Sequence, residues 1–173
     1  YTGTLRCENK GLSVSDMPDG GLGNLRANLY LYGNNLGSLD AFKDVTNLSG
    51  SNMYFYSSNL SDVSGLSNLE EYPYLFRFDN NSIETFGLTD SDGIIDYLYL
   101  SNNPLQDISG LSSVTQINQT LNLNGTNIAD LSALSNLRTV RNINLRNNDN
   151  LEDISGLGGI QTLNSYLYFD DKD

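Results

Sequence analysis

A chain of 173 residues has the length of one domain, and its 21 acidic and 9 basic side chains give it a net charge of −12. This acidic balance excludes the basic stripe with which proteins hold nucleic acid or an anionic membrane surface. The sequence has no histidine and a single cysteine, which excludes Ser-His and Cys-His nucleophiles, Cys/His metal clusters and an internal disulfide framework. We therefore expect neither an enzyme nor a cofactor.

Pairs of apolar residues, separated by one other residue, recur along almost the whole chain. Adjacent pairs lie 22 to 24 residues apart, and they begin at Leu5, Leu29, Met53, Phe76, Leu98, Leu121, Ile143 and Leu167. This alternation predicts a strand with one buried face. The apolar residues that follow, such as Leu105, Ile108 and Leu111, are three apart, which favours tight 3₁₀-like or irregular turns. Because one such repeat cannot bury its own apolar residues, the coils must stack, and their strands form a parallel sheet.

Four return segments share an aspartate followed by small residues and a leucine. They are Asp62-Val-Ser-Gly-Leu-Ser-Asn-Leu69, Asp107-Ile-Ser-Gly-Leu-Ser-Ser-Val114, Asp130-Leu-Ser-Ala-Leu-Ser-Asn-Leu137 and Asp153-Ile-Ser-Gly-Leu-Gly-Gly-Ile160. With the strand motif L-x-L-x-x-N-x-L, these segments resemble the short leucine-rich repeats of bacterial internalin-type proteins. The resemblance implies an α/β leucine-rich-repeat solenoid, with a curved parallel β-sheet on the concave face and short 3₁₀ or irregular turns, with little regular helix, on the convex face. It also implies that the concave sheet binds a partner, usually a protein. We assign residues 1–173 to one such domain of seven to eight coils.

The first, fourth and last coils depart most from the repeat. Residues 1–28 form the least regular coil, as is typical of a terminal repeat. The fourth coil diverges through an acidic loop at residues 87–93. The last strand runs into Asp170, Asp171 and Asp173, whose charges discourage edge-to-edge pairing. Because neither end carries an evident cap, self-association through the ends is an alternative that we keep open.

Two polar columns have a structural explanation. The first contains Lys10, Asn34, Ser58, Asn81, Asn103, Thr126 and Asn148. We expect its asparagines to bond the backbone of their own turn and of the neighbouring coil. The second contains Asp62, Asp107, Asp130 and Asp153, which we expect to accept hydrogen bonds from the backbone N–H groups of the turns that follow. Ice binding by the first column and calcium binding by carboxylates are the alternatives, and the best calcium candidate is the loop that carries Asp90 and Asp92.

Side chains that alternate with the buried apolar residues face the concave side of the predicted sheet. Four tyrosines on two adjacent strands, Tyr30, Tyr32, Tyr54 and Tyr56, form one aromatic patch there. Tyrosine and arginine are enriched at interface hot spots, although tyrosine also favours strands for packing reasons alone. The candidate partner-binding residues are Tyr30, Tyr32, Tyr54, Tyr56, Arg77, Asp79, Tyr97, Tyr99, Asn122, Asn144, Arg146 and Tyr168.

These observations favour a non-catalytic recognition or adhesion module that binds a protein or glycan through its tyrosine- and asparagine-rich concave face. A structural subunit of an extracellular, surface or virion assembly is the alternative, and an ice-binding protein is a third hypothesis. No stretch approaches the length of about 18 apolar residues that a membrane span needs, so we expect no membrane insertion. Because the sequence begins at Tyr1 and not at methionine, we expect a processed product or an excised piece, of exported or surface-displayed origin.

Overall fold

Parallel strands dominate the fold. The computed structural model describes residues 2–17, 26–88 and 93–169. The strands in these ranges are β1 (Thr2–Arg6), β2 (Arg26–Tyr30), β3 (Asn52–Tyr54), β4 (Leu75–Arg77), β5 (Thr85–Gly87), β6 (Ile94–Tyr99), β7 (Asp107–Gly110), β8 (Gln116–Asn122), β9 (Thr139–Asn144) and β10 (Thr162–Tyr168). Eight of them form one sheet in the order β1-β2-β3-β4-β6-β8-β9-β10, and β5 pairs separately with β7.

The register of the large sheet follows the apolar pairs of the sequence. Leu5 aligns with Leu29, Leu29 with Met53, and the series continues in step to Ile143 and Leu167. Each repeat therefore returns the chain to the neighbouring strand, and the predicted parallel sheet is confirmed. Inward side chains in the middle of the stack are buried, whereas Leu5 is 40% exposed because β1 pairs only with β2 among the described strands.

Phenylalanine fills the core of the second to fourth coils. The Phe55 ring stacks on Phe78 with centroids 5.4 Å apart, and Phe42 meets Phe55 edge-on at 5.4 Å. Phe76 and Phe86 pack against Phe78 from within the fourth coil. Because these rings come from three consecutive coils and are all buried, the cluster ties the coils together.

Most return segments contain a short 3₁₀ helix, namely Val14–Asp16, Asp40–Phe42, Ser64–Leu66, Ser132–Leu134 and Ser155–Gly159. Asp62, Asp130 and Asp153 form Asx turns at the start of three of them, since each Oδ1 accepts a hydrogen bond from the N–H two residues later at 2.7 to 2.8 Å. The described residues contain no α-helix, so the expected α/β class holds only as a parallel β-sheet with 3₁₀ turns. Within these same ranges, no helix is long and apolar enough to cross a bilayer.

The fourth and fifth coils return through strands instead. β5 pairs with β7, and Leu88 N–H donates to the Gly110 carbonyl at 3.3 Å. The segment after Asp107 still closes the expected tight turn, because Leu111 N–H and Ser112 N–H donate to the carbonyls of Ile108 and Ser109 at 2.8 and 3.0 Å, and Asp107 accepts a bond from Ser109 N–H at 2.7 Å. The fourth coil lacks the Asp-x-Ser-Gly-Leu sequence and runs extended.

Glycine in the 3₁₀ turns allows adjacent coils to approach closely. A Cβ atom on Gly65 would lie 1.9 Å from the carbonyl oxygen of Leu39, and one on Gly156 would lie 1.7 Å from that of Leu131. Both carbonyls belong to the preceding coil, so a side chain at either position would force two coils apart. The recurring glycine is thus required by packing between coils.

Candidate partner-binding face

The outward side chains of the eight-stranded sheet form one surface, which we call the open face. Each residue of its central column sits between the two inward residues of its strand, as the two-residue period of a strand requires. The register aligns Arg6, Tyr30, Tyr54, Arg77, Tyr99, Asn122, Asn144 and Tyr168 across all eight strands. In the sequence, each of these residues lies between the two apolar residues of its pair.

Two pairs of tyrosines stack across β2 and β3. The rings of Tyr30 and Tyr54 have centroids 4.6 Å apart and planes 14° from parallel. Those of Tyr32 and Tyr56 lie 4.4 Å apart at 8°. These separations match the spacing between neighbouring strands, about 4.8 Å, so the backbone register itself brings the rings together. All four side chains are half-buried, and the predicted aromatic patch is present.

Arginines cover the outer ends of these stacks. The guanidinium carbon of Arg6 lies 4.2 Å from the Tyr30 ring centroid, on the side opposite Tyr54. The guanidinium carbon of Arg77 lies 4.8 Å from the Tyr56 centroid and 5.8 Å from that of Tyr99. Arg77 therefore stands between the tyrosines of β3 and β6, and cation–π attraction favours this position.

Asp79 fixes the orientation of Arg77. Arg77 Nε donates to Asp79 Oδ2 at 2.8 Å, and the Ser101 hydroxyl donates to Asp79 Oδ1. Asp79 is only 4% exposed, so this candidate residue is placed to hold Arg77 and not to meet a partner directly. The hydrogen bond to Asp79 raises the pKa of the Arg77 guanidinium, which stays charged at every accessible pH.

The phenols around Arg77 are held in the neutral form. Burial raises the pKa of Tyr54 and of Tyr56, and the stacked neighbours Tyr30 and Tyr32 add to the rise. Burial also raises the pKa of Tyr99. At neutral pH the face therefore presents uncharged phenols around a permanent cation.

The remaining candidate residues form two further groups. Tyr97 stacks on Tyr99 with centroids 6.1 Å apart, which extends the aromatic patch across β6. Near β9 and β10, Arg146 lies over the Tyr168 ring at 4.1 Å. Asn122 and Asn144 lie between the two groups, and each accepts a bond from a backbone N–H of its own coil at 3.1 and 3.3 Å. The structure thus sets Arg146 and Tyr168 apart and brings eight candidates together in one region of the open face. These eight are Tyr30, Tyr32, Tyr54, Tyr56, Arg77, Asp79, Tyr97 and Tyr99.

The asparagine side chains of the first polar column, which we call the asparagine column, form hydrogen bonds with the backbone, as the sequence predicted. Asn103 Nδ2 donates to the carbonyls of Phe78 and Leu100 at 3.0 and 2.9 Å, and its Oδ1 accepts from Ile83 N–H at 3.1 Å. Corresponding bonds are made by Asn34, Asn81 and Asn148. These amides offer no free row of groups to water, which leaves the ice-binding hypothesis without support from this column.

The calcium candidates Asp90 and Asp92 lie outside the described residues. Within the described ranges, no group of three or more His, Cys, Asp or Glu side chains is arranged to hold a metal ion. Each aspartate of the return segments accepts a hydrogen bond from a backbone N–H group of the turn that follows, as the sequence predicted.

Three residues outside the predicted set belong to the same face. Arg6 covers Tyr30, Ser101 bonds Asp79, and Tyr74 packs edge-on against Tyr97 at 5.3 Å. The sequence places Arg6 and Ser101 in the columns of Arg77 and Asp79, although neither is among the candidate partner-binding residues. Tyr74 precedes β4, where the repeat has no fixed position to mark it.

Comparison of the chain with models of protein families found no match, and comparison with curated protein sequences found none either. The function proposed next therefore rests on the geometry and chemistry of the open face.

Proposed function

We propose that this chain is a leucine-rich-repeat recognition module that binds a protein or glycan partner through the open face and catalyses no reaction. The strand-and-turn repeat with aspartate-capped 3₁₀ turns supports the leucine-rich-repeat assignment. An exported or surface-displayed location is part of the proposal.

The observation that carries the proposal is the double stack of Tyr30 with Tyr54 and of Tyr32 with Tyr56. Stacked rings have little side-chain freedom left to lose, so a partner that contacts them pays a smaller entropic cost. Tyrosine and arginine also supply a disproportionate share of binding energy at interfaces, and here they are adjacent and part-exposed.

The test is to remove the aromatic patch and measure binding. A variant with alanine at Tyr30, Tyr32, Tyr54 and Tyr56, and a smaller variant with alanine at Tyr32 and Tyr56 only, should lose binding to ligands selected from a random-peptide library and from a glycan array. The matched control carries alanine at the exposed residues Glu70 and Glu71, and should bind as the unmodified chain does. Unchanged affinity in the two-tyrosine variant, with an unchanged far-UV circular dichroism spectrum, would refute the proposal.

A structural assembly subunit is the second candidate, and the last described coil favours it. Ile154, Leu163 and Phe169 are 50%, 45% and 38% exposed, and β10 pairs only with β9 among the described strands. An exposed strand edge beside apolar side chains is a template for pairing with another chain. Light scattering over a concentration series tests this candidate: a mass that rises with concentration supports assembly, and a constant monomer mass refutes it.

A further inference from the structure

We infer that the open face takes a polypeptide, and that Arg77 is its anchor for a carboxylate side chain of that polypeptide. This inference rests on the proposed function, and it names the chemical class of the partner and the residue that recognises it. Four features carry it: the orientation of the tyrosine rings, the free donors of Arg77, the fixed position of its guanidinium and the local charge of the face.

The tyrosine rings offer edges and hydroxyl groups to a partner. One face of each ring in the two stacks is covered by the other ring of its pair. The second face of Tyr30 is covered by Arg6, and that of Tyr56 by Arg77. A sugar that stacks on an aromatic side chain needs an open ring face, and Tyr30 and Tyr56 lack one. Ring edges carry the positive part of the aromatic quadrupole, which suits the carbonyl and carboxylate oxygens of a peptide.

Arg77 retains donors that the protein does not use. Its Nε is bonded to Asp79, and no group among the described residues accepts a hydrogen bond from its two terminal amino groups. The Arg77 side chain is 46% exposed. The two amino groups of a guanidinium form a planar fork that matches both oxygens of a carboxylate, which a lysine ammonium cannot do.

The guanidinium is also held in place before a partner arrives. Asp79 bonds its Nε, Ser101 bonds Asp79, and the rings of Tyr56 and Tyr99 lie at 4.8 and 5.8 Å from its central carbon. A long side chain that is already ordered loses less conformational entropy when it forms its bonds. Asp79 is therefore a positioning residue for Arg77.

The charge of the open face differs from that of the chain. The described residues of its central column and of the column beside it carry three cations, Arg6, Arg77 and Arg146, and two carboxylates, Glu8 and Asp79. The whole chain has 21 acidic and 9 basic residues. Both carboxylates are paired with an arginine, at 3.8 Å for Glu8 and 2.8 Å for Asp79. These two columns thus carry one more cation than carboxylate, so a carboxylate meets less repulsion there than over the acidic chain as a whole, which restricts where it binds.

The experiment uses a displayed library of random peptides, selected on the immobilised full chain. Selected peptides should share an aspartate or glutamate at one position. The best peptide and its counterpart with glutamine in place of glutamate, or asparagine in place of aspartate, are then synthesised, and their affinities for the unmodified chain and for Arg77→Gln are measured. The loss of one charge-assisted bidentate contact should weaken binding by about 10- to 100-fold on the unmodified chain and have little effect on Arg77→Gln.

Two further variants keep the result interpretable. Arg77→Lys retains a cation beside buried Asp79 and so protects the fold, but it removes the fork and should lose most of the discrimination between the two peptides. Lys43→Gln removes one positive charge from an exposed residue outside the open face and should leave both affinities unchanged.

The outcomes separate this inference from the proposed function. Selected peptides without a shared carboxylate, or equal discrimination by Arg77→Gln and the unmodified chain, would overturn the inference. Glycans that bind, and that no longer bind the Tyr32→Ala/Tyr56→Ala variant, would also overturn it while leaving the proposed function in place. Capture of neither peptides nor glycans by the open face would overturn both.

Discussion

Replacement of Asn103 by alanine should destabilise this protein far more than replacement of an exposed asparagine. The Asn103 side chain is 2% exposed, and its shortest bonds join three backbone groups, the carbonyls of Phe78 and Leu100 and the N–H of Ile83, with a longer bond to the Ser101 carbonyl at 3.4 Å. The Phe78 carbonyl would keep a second bond, from Asn81 Nδ2 at 2.8 Å. The Leu100 carbonyl and the Ile83 N–H would each lose their side-chain partner.

A buried polar group without a partner costs about 1–3 kcal/mol, so these two groups predict a loss of about 2–6 kcal/mol in the free energy of unfolding. Asn136→Ala is the matched control, because Asn136 is exposed and its Nδ2 makes one bond, to the Ser112 carbonyl at 2.8 Å. Its loss should cost about 0.5–1.5 kcal/mol, the usual net contribution of one hydrogen bond.

Urea unfolding followed by far-UV circular dichroism and by tyrosine fluorescence gives both values, since the chain contains no tryptophan. Agreement of the two probes is needed because stacked repeats can unfold in parts. An Asn103→Ala loss equal to that of Asn136→Ala would refute the role of the buried amide. Asn103→Thr should recover part of the loss, because Thr126 fills the same column and its hydroxyl lies within hydrogen-bond distance of two acceptors, the Leu123 carbonyl at 3.2 Å and Asn148 Oδ1 at 2.6 Å.

Three further predictions follow from the turns and the open face. Gly156→Ala should lower the free energy of unfolding by about 3 kcal/mol, because its new Cβ overpacks against the Leu131 carbonyl. Gly158→Ala has nothing within 4 Å of its new Cβ and should change that free energy by less than about 0.5 kcal/mol. Equal losses in urea unfolding would contradict the packing explanation. Burial raises the pKa of Tyr54 above its usual 10.0, so the folded state disfavours the phenolate and stability should fall as pH rises past 10.0. Tyr54→Phe should reduce that fall. Identical pH dependence of the two proteins would count against this effect of burial. Hydrogen bonds from Ser132 lower the pKa of Asp130 below 3.8 in the folded state. The stabilising effect of the carboxylate is therefore present above pH 3.8 and is lost as pH falls through the lowered pKa of the folded state. The difference in thermal midpoint between the unmodified chain and Asp130→Ala should shrink over that range, and a constant difference would exclude a role for the charged carboxylate.

The strands and the central column could be predicted because two short-range rules fix them. Alternation sets which side chains face inward, and the spacing between apolar pairs sets which residues align. Both rules hold across every coil, so the alignment of Arg6 through Tyr168 needed no knowledge of side-chain contacts.

What could not be predicted depends on several coils at once. Asp79 shares a column with Tyr32 and Tyr56, which are half-buried, yet it is nearly inaccessible because Arg77 and Ser101 enclose it. The segment after Asp107 has almost the same sequence as that after Asp62 and closes the same turn, but it also pairs as β7 because its neighbour in the fourth coil, β5, is extended. In both cases, contacts with another coil override the local pattern.

The direction of the hydrogen bonds that the column of asparagine side chains makes has a consequence for biosynthesis. Each of its amides accepts a bond from the N–H of a residue in the preceding coil. The pairs are Asn34 with Lys10, Asn81 with Ser58, Asn103 with Ile83 and Asn148 with Thr126. A chain that emerges from the ribosome N-terminus first therefore always finds the partner of its newest amide already synthesised. Each new coil thus closes against one that is already in place, whereas the bonded N–H groups of that earlier coil receive their acceptor only when the next coil arrives.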